Sequence, residues 1–475
     1  MNKKEKTGMI FINSLLFILT ISCSKGPTDQ DSVNSSTVEY WLTNADKSAL
    51  FQKQAGTSNV NSSGTPLSIE VDETQKMQTI DGFGCALTGG SATLINKMSG
   101  TNKDALLKEL FLIDGNNIGI SYLRISIGAS DLSDHVFSYD DLPAGQTDTS
   151  MAKFNLDAEQ TDLIPVLKQI IAINPDIKIL GSPWSAPTWM KTNNSSIGGS
   201  LKPQYYAAYA KYFVKYIQGM KSNGIKVDAI TIQNEPLYGG NNPSMLMSAV
   251  EQAEFIKNYL GPAFKSNNID TKIIVYDHNA DRTDYPITVM NDADAKKYVN
   301  GSAFHLYGGS IDDLSKVHNA HPDKDIYFTE QWIGAPGNFS GDLSWHVKTL
   351  LVGGTRNWCK NILEWNLASD PNLQPHTQGG CTECLGAVTL NGNIITRNPA
   401  YYIIAHASKF VRPGSVRIAS TASSILPNVA FKTPDGRKVL IVLNDSSSFQ
   451  TLKISAGDKS FSYYLKAGSV CTFVW

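Results

Sequence analysis

The chain has 475 residues, which is enough for two or three domains with cores of their own. Only 18% of the residues are charged, and the formal net charge at pH 7 is −2. This balance gives no sign of a nucleic-acid or acidic-membrane partner, because both attract clustered positive charge, whereas a neutral polymer such as a glycan fits it.

The N-terminus predicts export. Lysines precede the apolar stretch MIFINSLLFILTI, and small or polar residues follow it, which is typical of a secretory signal peptide over residues 1–22. The stretch is shorter than the roughly 20 residues that a membrane-spanning helix needs. Cys23 stands where bacterial lipoprotein signals place the lipidated cysteine, although Leu19 lies one position further upstream than usual, so cleavage beside an incidental cysteine is the alternative. The polar residues 23–37 predict a flexible tether.

Eight apolar runs alternate with helical patterns over residues 81–410. The runs are DGFGCALTG, ISYLRISIG, IKILGSPW, AITIQNEP, KIIVYDHN, SAFHLYG, DIYFTEQW and NILEWNLA. Most are continuous and rich in β-branched residues, as expected of strands buried on both faces of a parallel sheet. Helical periodicity between them is clearest over residues 157–173, 204–221 and 244–264. The alternation predicts a (β/α)8 TIM barrel, and a doubly wound open sheet is disfavoured because no glycine-rich phosphate loop opens a helix.

Both flanks of the barrel are predicted to be β-rich. The runs TVEYWLT and LSIEVD mark residues 38–80. Residues 411–475 contain NVAFKT, a Pro434-Asp435-Gly436 turn and KVLIVLN, followed by SFSYYLK and SVCTFVW. Because chain termini often lie close together, we expect both flanks to form one β-sandwich attached to the α/β barrel.

Five cysteines remain after removal of the signal and Cys23. Cys381 and Cys384, within GGCTECLG, can form a small disulfide loop in an exported protein. A CxxC zinc half-site needs a second pair, which the sequence lacks, so we expect no zinc site. Cys85, Cys359 and Cys471 are expected to be buried thiols.

Two glutamates stand at the ends of predicted barrel strands, Glu235 after the fourth and Glu330 after the seventh. Catalytic residues of α/β barrels gather at the C-terminal ends of the strands. A carboxylate pair there suits glycosidic bond cleavage, in which one group protonates the leaving oxygen and the other attacks the sugar. A single strand-end carboxylate is as readily a helix cap or an ion-pair partner, so the prediction depends on several residues converging. The other candidates are Arg124 and Asp131 after strand two, Trp184 after strand three, Asn234 after strand four, His305 and Tyr307 at strand six, and Trp365 after strand eight.

Each polar candidate has a chemical reason to be present. A nucleophile must stay ionised, so Arg124 is a plausible partner for Glu330. An acid/base must hold a proton at neutral pH, which calls for an apolar surround or the negative charge of the nucleophile. Asn234 can bond the sugar 2-hydroxyl.

The aromatic and histidine candidates have structural alternatives. Trp184 and Trp365 offer flat faces to a sugar, and core packing is the alternative for both. His305 can also be a satisfied barrel histidine. Asp277 and His278, after strand five, are expected to be structural rather than catalytic.

The motif set resembles glycoside hydrolase family 30, the glucosylceramidase-related family, from about residue 40 to the C-terminus. It consists of QTIDGFGCALTGGSA, YLRISIGASDLS, ILGSPWSAPTWMKTN, ITIQNEP, FHLYG, FTEQW and EWNLA. The resemblance implies a TIM barrel with a sandwich from both chain ends, and a retaining mechanism with Glu235 as acid/base and Glu330 as nucleophile. It further implies that Arg124 supports the nucleophile and that the −1 sugar site is lined by Asp131, Trp184, Asn234, His305, Tyr307 and Trp365.

Within that family, the segment GGCTECLGAVTL resembles the branch with microbial endo-β-1,6-glucanases, because the mammalian lysosomal enzymes lack this CxxC step. We therefore expect an endo-acting β-1,6-glucanase. An exo-acting β-glucosidase or glucosylceramidase-like enzyme, or a β-xylosidase or xylanase, is the nearest alternative. A surface glycan-binding lipoprotein with a degenerate barrel is the distant one.

The expected partner is a β-glucan. No metal or organic cofactor is expected, because carboxylate chemistry needs none and the histidines lack ligand spacing. We expect a monomer that binds no nucleic acid. Its only attachment to a membrane would be a lipid anchor at Cys23. Its location would be a bacterial cell envelope, as an outer-membrane lipoprotein, at the surface or in the periplasm.

Overall fold

A computed structural model of the chain describes residues 38–54 and 66–475. The predicted signal peptide, the tether and Cys23 lie outside the described residues. Within the described ranges, no helix is both long enough and apolar enough to cross a membrane.

The predicted barrel is confirmed. Its eight strands are all parallel and follow one another around the ring in chain order, with the eighth beside the first. In that order they are Gly82–Ala86, Tyr122–Ser126, Lys178–Ser182, Ala229–Thr231, Lys272–Asn279, Val299–His305, Asp325–Glu330 and Cys359–Glu364. Each of the eight predicted runs supplies one strand.

One apolar layer inside the barrel takes one side chain from each of strands two to eight. They form a separate buried cluster of Tyr122, Leu180, Ala229, Ile274, Ala303, Tyr327 and Leu363. The first strand contributes Gly84 instead, where an added Cβ would lie 1.9 Å from the carbonyl oxygen of Tyr122. The first strand therefore needs a glycine to reach the second.

Helices cover the outside of the barrel, joined by 3-10 turns. The α-helices are Gly89–Lys97, Gly100–Phe111, Leu163–Ile173, Tyr206–Ser222, Ala249–Phe255, Gly261–Ser266, Asp284–Asn291, Ala293–Lys296, Leu314–Ala320, Phe339–His346 and Pro399–Ser408, with π-helical segments at Ile256–Leu260 and Val347–Gly354. The helix predicted from residue 157 begins instead at Leu163, after a 3-10 turn over Asp157–Glu159. Pro165 explains the late start, because proline is tolerated in the first helical turn but not in a helix interior.

The two chain ends form one β-sandwich, as predicted. In the described residues its strands are Glu39–Thr43, Gln52–Gln54, Leu67–Thr79, Val416–Ser420, Asn428–Lys432, Lys438–Leu443, Gln450–Ala456, Lys459–Leu465 and Val470–Val474. Glu39–Thr43 pairs with Val470–Val474, so the N-terminal and C-terminal flanks share a sheet. Along Lys438–Leu443, Leu440 and Val442 point into the sandwich core, and the alternate residues join the barrel's cluster.

Short strands tie the loops above the barrel together. Ile333–Gly334, beyond strand seven, pairs with Cys384–Leu385, beyond strand eight. A further small sheet joins Ala368–Ser369, Val388–Asn391 and Ile394–Arg397. A disulfide links Cys381 to Cys384, and the other three described cysteines are buried thiols, as expected.

Candidate active site

The two glutamates lie at the same end of the barrel. Glu330 is the last residue of the seventh strand, and Glu235 follows the fourth strand, which ends at Thr231. One carboxylate oxygen of each lies within 4.8 Å of the other. Both open into a cavity of about 510 Å³. Its lining side chains are Asp131, Glu235, Tyr238, Asn241, His278, Asn279, Tyr307, Glu330, Trp332, Trp365, Cys381 and Cys384.

Arg124 organises the carboxylates from beneath. It is fully buried on the second strand, and its Nη1 donates to Glu330 Oε2 at 2.5 Å. Its Nη2 donates to Asp277 Oδ2 at 2.8 Å and to Asn234 Oδ1 at 2.7 Å. A second donor, the hydroxyl of Tyr307, lies 3.0 Å from Glu330 Oε1. Both oxygens of Glu330 therefore accept hydrogen bonds, and these fix the orientation of the carboxylate.

Asp277 is the buried anchor of this network. Its carboxylate has no exposed surface and accepts hydrogen bonds from Ser182, Thr231 and Thr329, in addition to Arg124. Burial would raise the pKa of Asp277, but the charge of Arg124 and the hydrogen-bond donors hold it far below its usual value of 3.8. Asp277 is therefore an ionised group that holds the network in place, in agreement with the structural role expected for it.

His305 connects Asp277 to Glu235. Its Nε2 lies 3.2 Å from Asp277 Oδ1, and its Nδ1 lies 3.2 Å from Glu235 Oε1. Burial opposes the charge on the ring, but the negative charge of Glu330 and the two hydrogen-bonded carboxylates raise the pKa of His305 to about 9. The imidazole is therefore protonated at neutral pH and donates to both carboxylates.

The surroundings of Glu235 differ from the sequence expectation. An acid/base was expected to keep its own proton, but burial, which would raise the pKa of Glu235, is outweighed by His305. The hydrogen bond and charge of that ring hold the Glu235 pKa below its usual value of 4.5. The proton that the pair shares therefore rests on His305 in the free protein, one hydrogen bond from Glu235.

Two of the site residues have an unusual backbone conformation. Glu235 has a φ of 45° and Asp277 a φ of 72°, a region that residues other than glycine rarely adopt. The backbone N–H of Glu235 donates to the carbonyl of Asp277 at 3.0 Å, so each holds the other in place. Such conformations cluster at functional sites.

Aromatic rings form one side of the site. Trp184 and Trp365 stack with ring centroids 5.5 Å apart, and the Arg124 guanidinium lies 4.8 Å from the Trp184 ring. Trp365 lines the cavity, whereas Trp184 is only 2% exposed and lies behind the lining. Of this pair, Trp365 is open to a ligand, and Trp184 packs against the arginine.

Asp131 also lines the cavity, on the loop after strand two. It is 6% exposed. Burial and the charges of Glu330 and Glu235 raise its pKa to about 7. The backbone N–H of Thr377 donates to the carbonyl of Asp131 at 2.9 Å, which attaches this loop to the loop after strand eight.

The structure brings all nine predicted site residues to one end of the barrel. The members that line the cavity are Asp131, Glu235, Tyr307, Glu330 and Trp365, and those directly behind it are Arg124, Trp184, Asn234 and His305. Sequence reasoning missed Tyr238, Asn241, Asn279 and Trp332 among the lining residues. Trp332 stands in the FTEQW motif and Tyr238 is the second residue after the NEP step, so position relative to the glutamates was an available signal.

Three of these side chains also have the geometry of a metal site. Glu235, His305 and Glu330 each offer one atom that could bind a metal, and these three atoms lie within 4.8 Å of one another. They are the group of this kind found in the described residues. A metal needs the neutral imidazole. Here His305 has a pKa of about 9, and Arg124 already neutralises Glu330. The trio is therefore suited to moving a proton rather than to holding a cation.

Comparisons with known proteins decide the family. The Glycosyl hydrolase family 30 TIM-barrel domain matches residues 80–411, and the beta sandwich domain of the same family matches residues 414–473. The chain belongs to glycoside hydrolase family 30. It is therefore a glycoside hydrolase, and its barrel and sandwich are the two domains of that family.

The relatives of this family 30 chain include glucanases and glucosylceramidases. It is 37% identical to Endo-1,6-beta-D-glucanase neg1 of Aspergillus fumigatus, covering 90% of this chain and 91% of the relative. It is 30% identical to the lysosomal acid glucosylceramidase of Mus musculus, covering 90% and 86%. Among solved structures, the endo-beta1,6-glucanase BT3312 superposes with a TM-score of 0.86 at 36% identity, covering 92% of this chain and 99% of that one.

Proposed function

We propose that this enzyme is an endo-acting β-1,6-glucanase that cleaves β-1,6-glucan with retention of the anomeric configuration. The observation that carries the proposal is the facing pair Glu235 and Glu330, with oxygens within 4.8 Å, in a chain similar along most of its length to endo-1,6-β-glucanases. Retaining enzymes hold their carboxyl groups about 5–5.5 Å apart, and inverting enzymes about 6.5–9.5 Å to admit a water. The close pair favours retention.

Glu330 is the nucleophile of this mechanism. Its Oε2 is held by Arg124 and its Oε1 by Tyr307. A carboxylate oxygen attacks the anomeric carbon as the bond to the leaving oxygen breaks, and the product is a covalent glycosyl ester. The ion pair with Arg124 holds the Glu330 carboxylate in one orientation before the attack.

Glu235 delivers the proton to the leaving oxygen, and His305 supplies that proton. The negative charge of Glu330 is the main charge that holds the proton on His305. As Glu330 becomes a neutral ester this charge disappears, the basicity of His305 falls, and its proton passes across the 3.2 Å contact to Glu235.

The second step reverses these roles. Glu235, now a carboxylate, takes a proton from a water that attacks the anomeric carbon. The ester bond to Glu330 breaks, and the product sugar leaves with its original configuration. Asp131 and Trp365 are proposed to bind the sugar in the −1 site, because they line the cavity beside the two carboxylates.

The decisive experiment is digestion of purified β-1,6-glucan by residues 38–475, with the products resolved over time. We expect a ladder of short gluco-oligosaccharides from the wild-type protein and nearly none from Glu330→Gln. Glucose alone would indicate exo action. Activity on xylan or aryl β-glycosides without action on the glucan would transfer the proposal to another substrate, and binding without any turnover would indicate a glycan-binding protein.

We further propose that the protein is exported to a bacterial cell envelope, where Cys23 carries a lipid anchor. The charged start, the apolar core and the cysteine at the end of the signal support this proposal. Metabolic labelling with a radioactive fatty acid should mark the wild-type protein and leave Cys23→Ala unlabelled.

A further inference from the structure

Tyr238 is a large aromatic residue with no role in the mechanism above. It lies three positions after Glu235, and its backbone N–H donates to the Glu235 carbonyl at 2.9 Å. Its side chain lines the cavity that holds both carboxylates, yet it is 50% exposed. Ligand pockets are lined mainly by apolar and aromatic side chains, so an aromatic ring in this cavity is a candidate ligand contact.

The ring is held in place by its own loop. A Cβ added at Gly240 would lie 2.6 Å from the Tyr238 ring atoms, so the ring rests against the backbone of this glycine. The next residue, Asn241, reaches back and donates to Glu235 Oε2 at 3.3 Å. Ring and carboxylate therefore belong to one loop, residues 235–241, that is closed by a turn at one end and by a side-chain hydrogen bond at the other.

The position of Glu235 tells which part of a substrate meets Tyr238. A proton donor must lie beside the oxygen of the bond that breaks, so the departing part of the substrate lies on the Glu235 side of the reacting carbon. Tyr238 and Asn241 are the lining residues of the loop that carries Glu235. The departing part therefore passes along the Tyr238 ring.

Two exposed aliphatic side chains lie on the loops next to Tyr238. Leu246, 38% exposed, lies 3.4 Å from the place of an added Cβ at Gly239, and its N–H donates to the carbonyl of Gly199 at 2.8 Å. Ile197, in the same neighbouring loop, is 43% exposed. An aromatic ring with aliphatic groups on the neighbouring loops suits the C–H faces of sugars better than it suits a charged group.

We propose that Tyr238 binds the glucosyl unit on the leaving-group side of the scissile bond, and binds the same unit when a sugar replaces water as the acceptor. The inference rests on the proposed function, because it takes a glucan as the substrate. Contact with the leaving sugar strengthens catalysis only where the substrate has such a sugar. Tyr238 therefore sets the preference for chains over substrates that lack a sugar at this position.

The test compares two substrates that differ in the leaving group. In a β-1,6-linked gluco-oligosaccharide the leaving group is a sugar. In β-gentiobiosyl fluoride the leaving group is a fluoride ion, so no sugar lies beside Tyr238. For Tyr238→Ala we expect kcat/KM on the oligosaccharide to fall about tenfold, corresponding to about 1.4 kcal/mol of transition-state binding, with little change on the fluoride. Transfer of the glycosyl group to added gentiobiose, relative to hydrolysis, should fall as well.

Two further variants are the controls. Tyr238→Phe keeps the ring face and should retain most of the oligosaccharide activity. Tyr464→Ala removes a tyrosine of similar exposure, 42%, from the sandwich strand Lys459–Leu465, and should change neither substrate.

The possible results separate the inference from the proposed function. If Tyr238→Ala loses equal activity on both substrates, or on neither, then Tyr238 does not bind the leaving sugar and the inference is wrong. If the wild-type protein turns over neither substrate, the proposed function itself is wrong. If Tyr238→Ala leaves the ratio of glycosyl transfer to hydrolysis unchanged, then Tyr238 does not bind the acceptor sugar, and only that part of the inference is wrong.

Discussion

The ionised carboxylate of Asp131 should lower the free energy of unfolding at neutral and alkaline pH. In the folded protein its pKa is about 7, compared with 3.8 for an ordinary aspartate, because the carboxyl is buried beside the charges of Glu330 and Glu235. A raised carboxyl pKa means that the folded state holds the proton more tightly than the unfolded state. Asp131 therefore leaves stability unaffected below pH 3.8 and reduces it progressively until about pH 7.

The size of the effect follows from the two pKa values. Each tenfold change in proton affinity is about 1.4 kcal/mol, so ionised Asp131 lowers the free energy of unfolding by about 4 kcal/mol above pH 7. Asp131→Asn removes the charge and keeps the shape. We expect the variant to exceed the wild type in stability by at least about 2 kcal/mol at pH 8, since the amide recovers only part of the cost.

Thermal unfolding of both proteins between pH 3.5 and pH 8.5 measures this difference. The melting temperature of Asp131→Asn should exceed that of the wild type at pH 8, and the gap should close toward pH 4. Asp104→Asn, at an exposed position of the helix Gly100–Phe111, is the matched control. A gap that is independent of pH, or a variant less stable than the wild type at pH 8, would refute the reasoning. The same variant should lose activity, because Asp131 is proposed to bind the sugar.

Three other changes have definite expected results. Arg124→Met leaves two buried carboxylates without their cation and should lower the free energy of unfolding by about 3–5 kcal/mol, measured by urea denaturation; full stability would contradict the buried pairing. Tyr307→Phe removes one hydrogen-bond donor from Glu330 and should lower kcat about 10-fold or more on every substrate, with unchanged stability. A loss of activity on one substrate alone would instead indicate that Tyr307 binds that substrate. Reduction of the Cys381–Cys384 disulfide with dithiothreitol should raise KM for the glucan more than it lowers kcat, because both cysteines line the cavity; a Cys381→Ser, Cys384→Ser double variant that is insensitive to dithiothreitol is the control.

The barrel could be predicted from the sequence because its strands are buried on both faces. Such strands appear as continuous apolar runs, and eight of them separated by helical periodicity leave few alternatives. The hairpin around Pro434-Asp435-Gly436 was equally clear, and Lys432 and Lys438 pair on either side of it. The start of the helix at Leu163 was missed, because periodicity does not show where proline must fall within the first turn.

The candidate site was predictable in composition but not in its charge state. Strand-end positions could be assigned from the barrel alone, so both glutamates could be named in advance. Arg124 was expected after strand two but lies within it, in Tyr122–Ser126. The contact between His305 and Glu235 joins residues on strands six and four, and no local pattern reports it. Its consequence, a proton on the histidine rather than on the glutamate, depends on burial and on three neighbouring carboxylates. Tyr238 was missed because it lies in a loop without periodicity, where its closeness to Glu235 in the chain was the one available signal.

The covalent intermediate on Glu330 is the central claim of the mechanism, and trapping it is the most direct test. A 2-deoxy-2-fluoro-β-gentiobiosyl fluoride should glycosylate Glu330 with loss of fluoride, and the resulting ester should hydrolyse slowly, because fluorine at carbon two destabilises both transition states. Mass spectrometry of the peptide fragments should then place one fluorogentiobiosyl group on Glu330, with none in Glu330→Gln. A label on another residue, or slow turnover without any covalent adduct, would contradict the account.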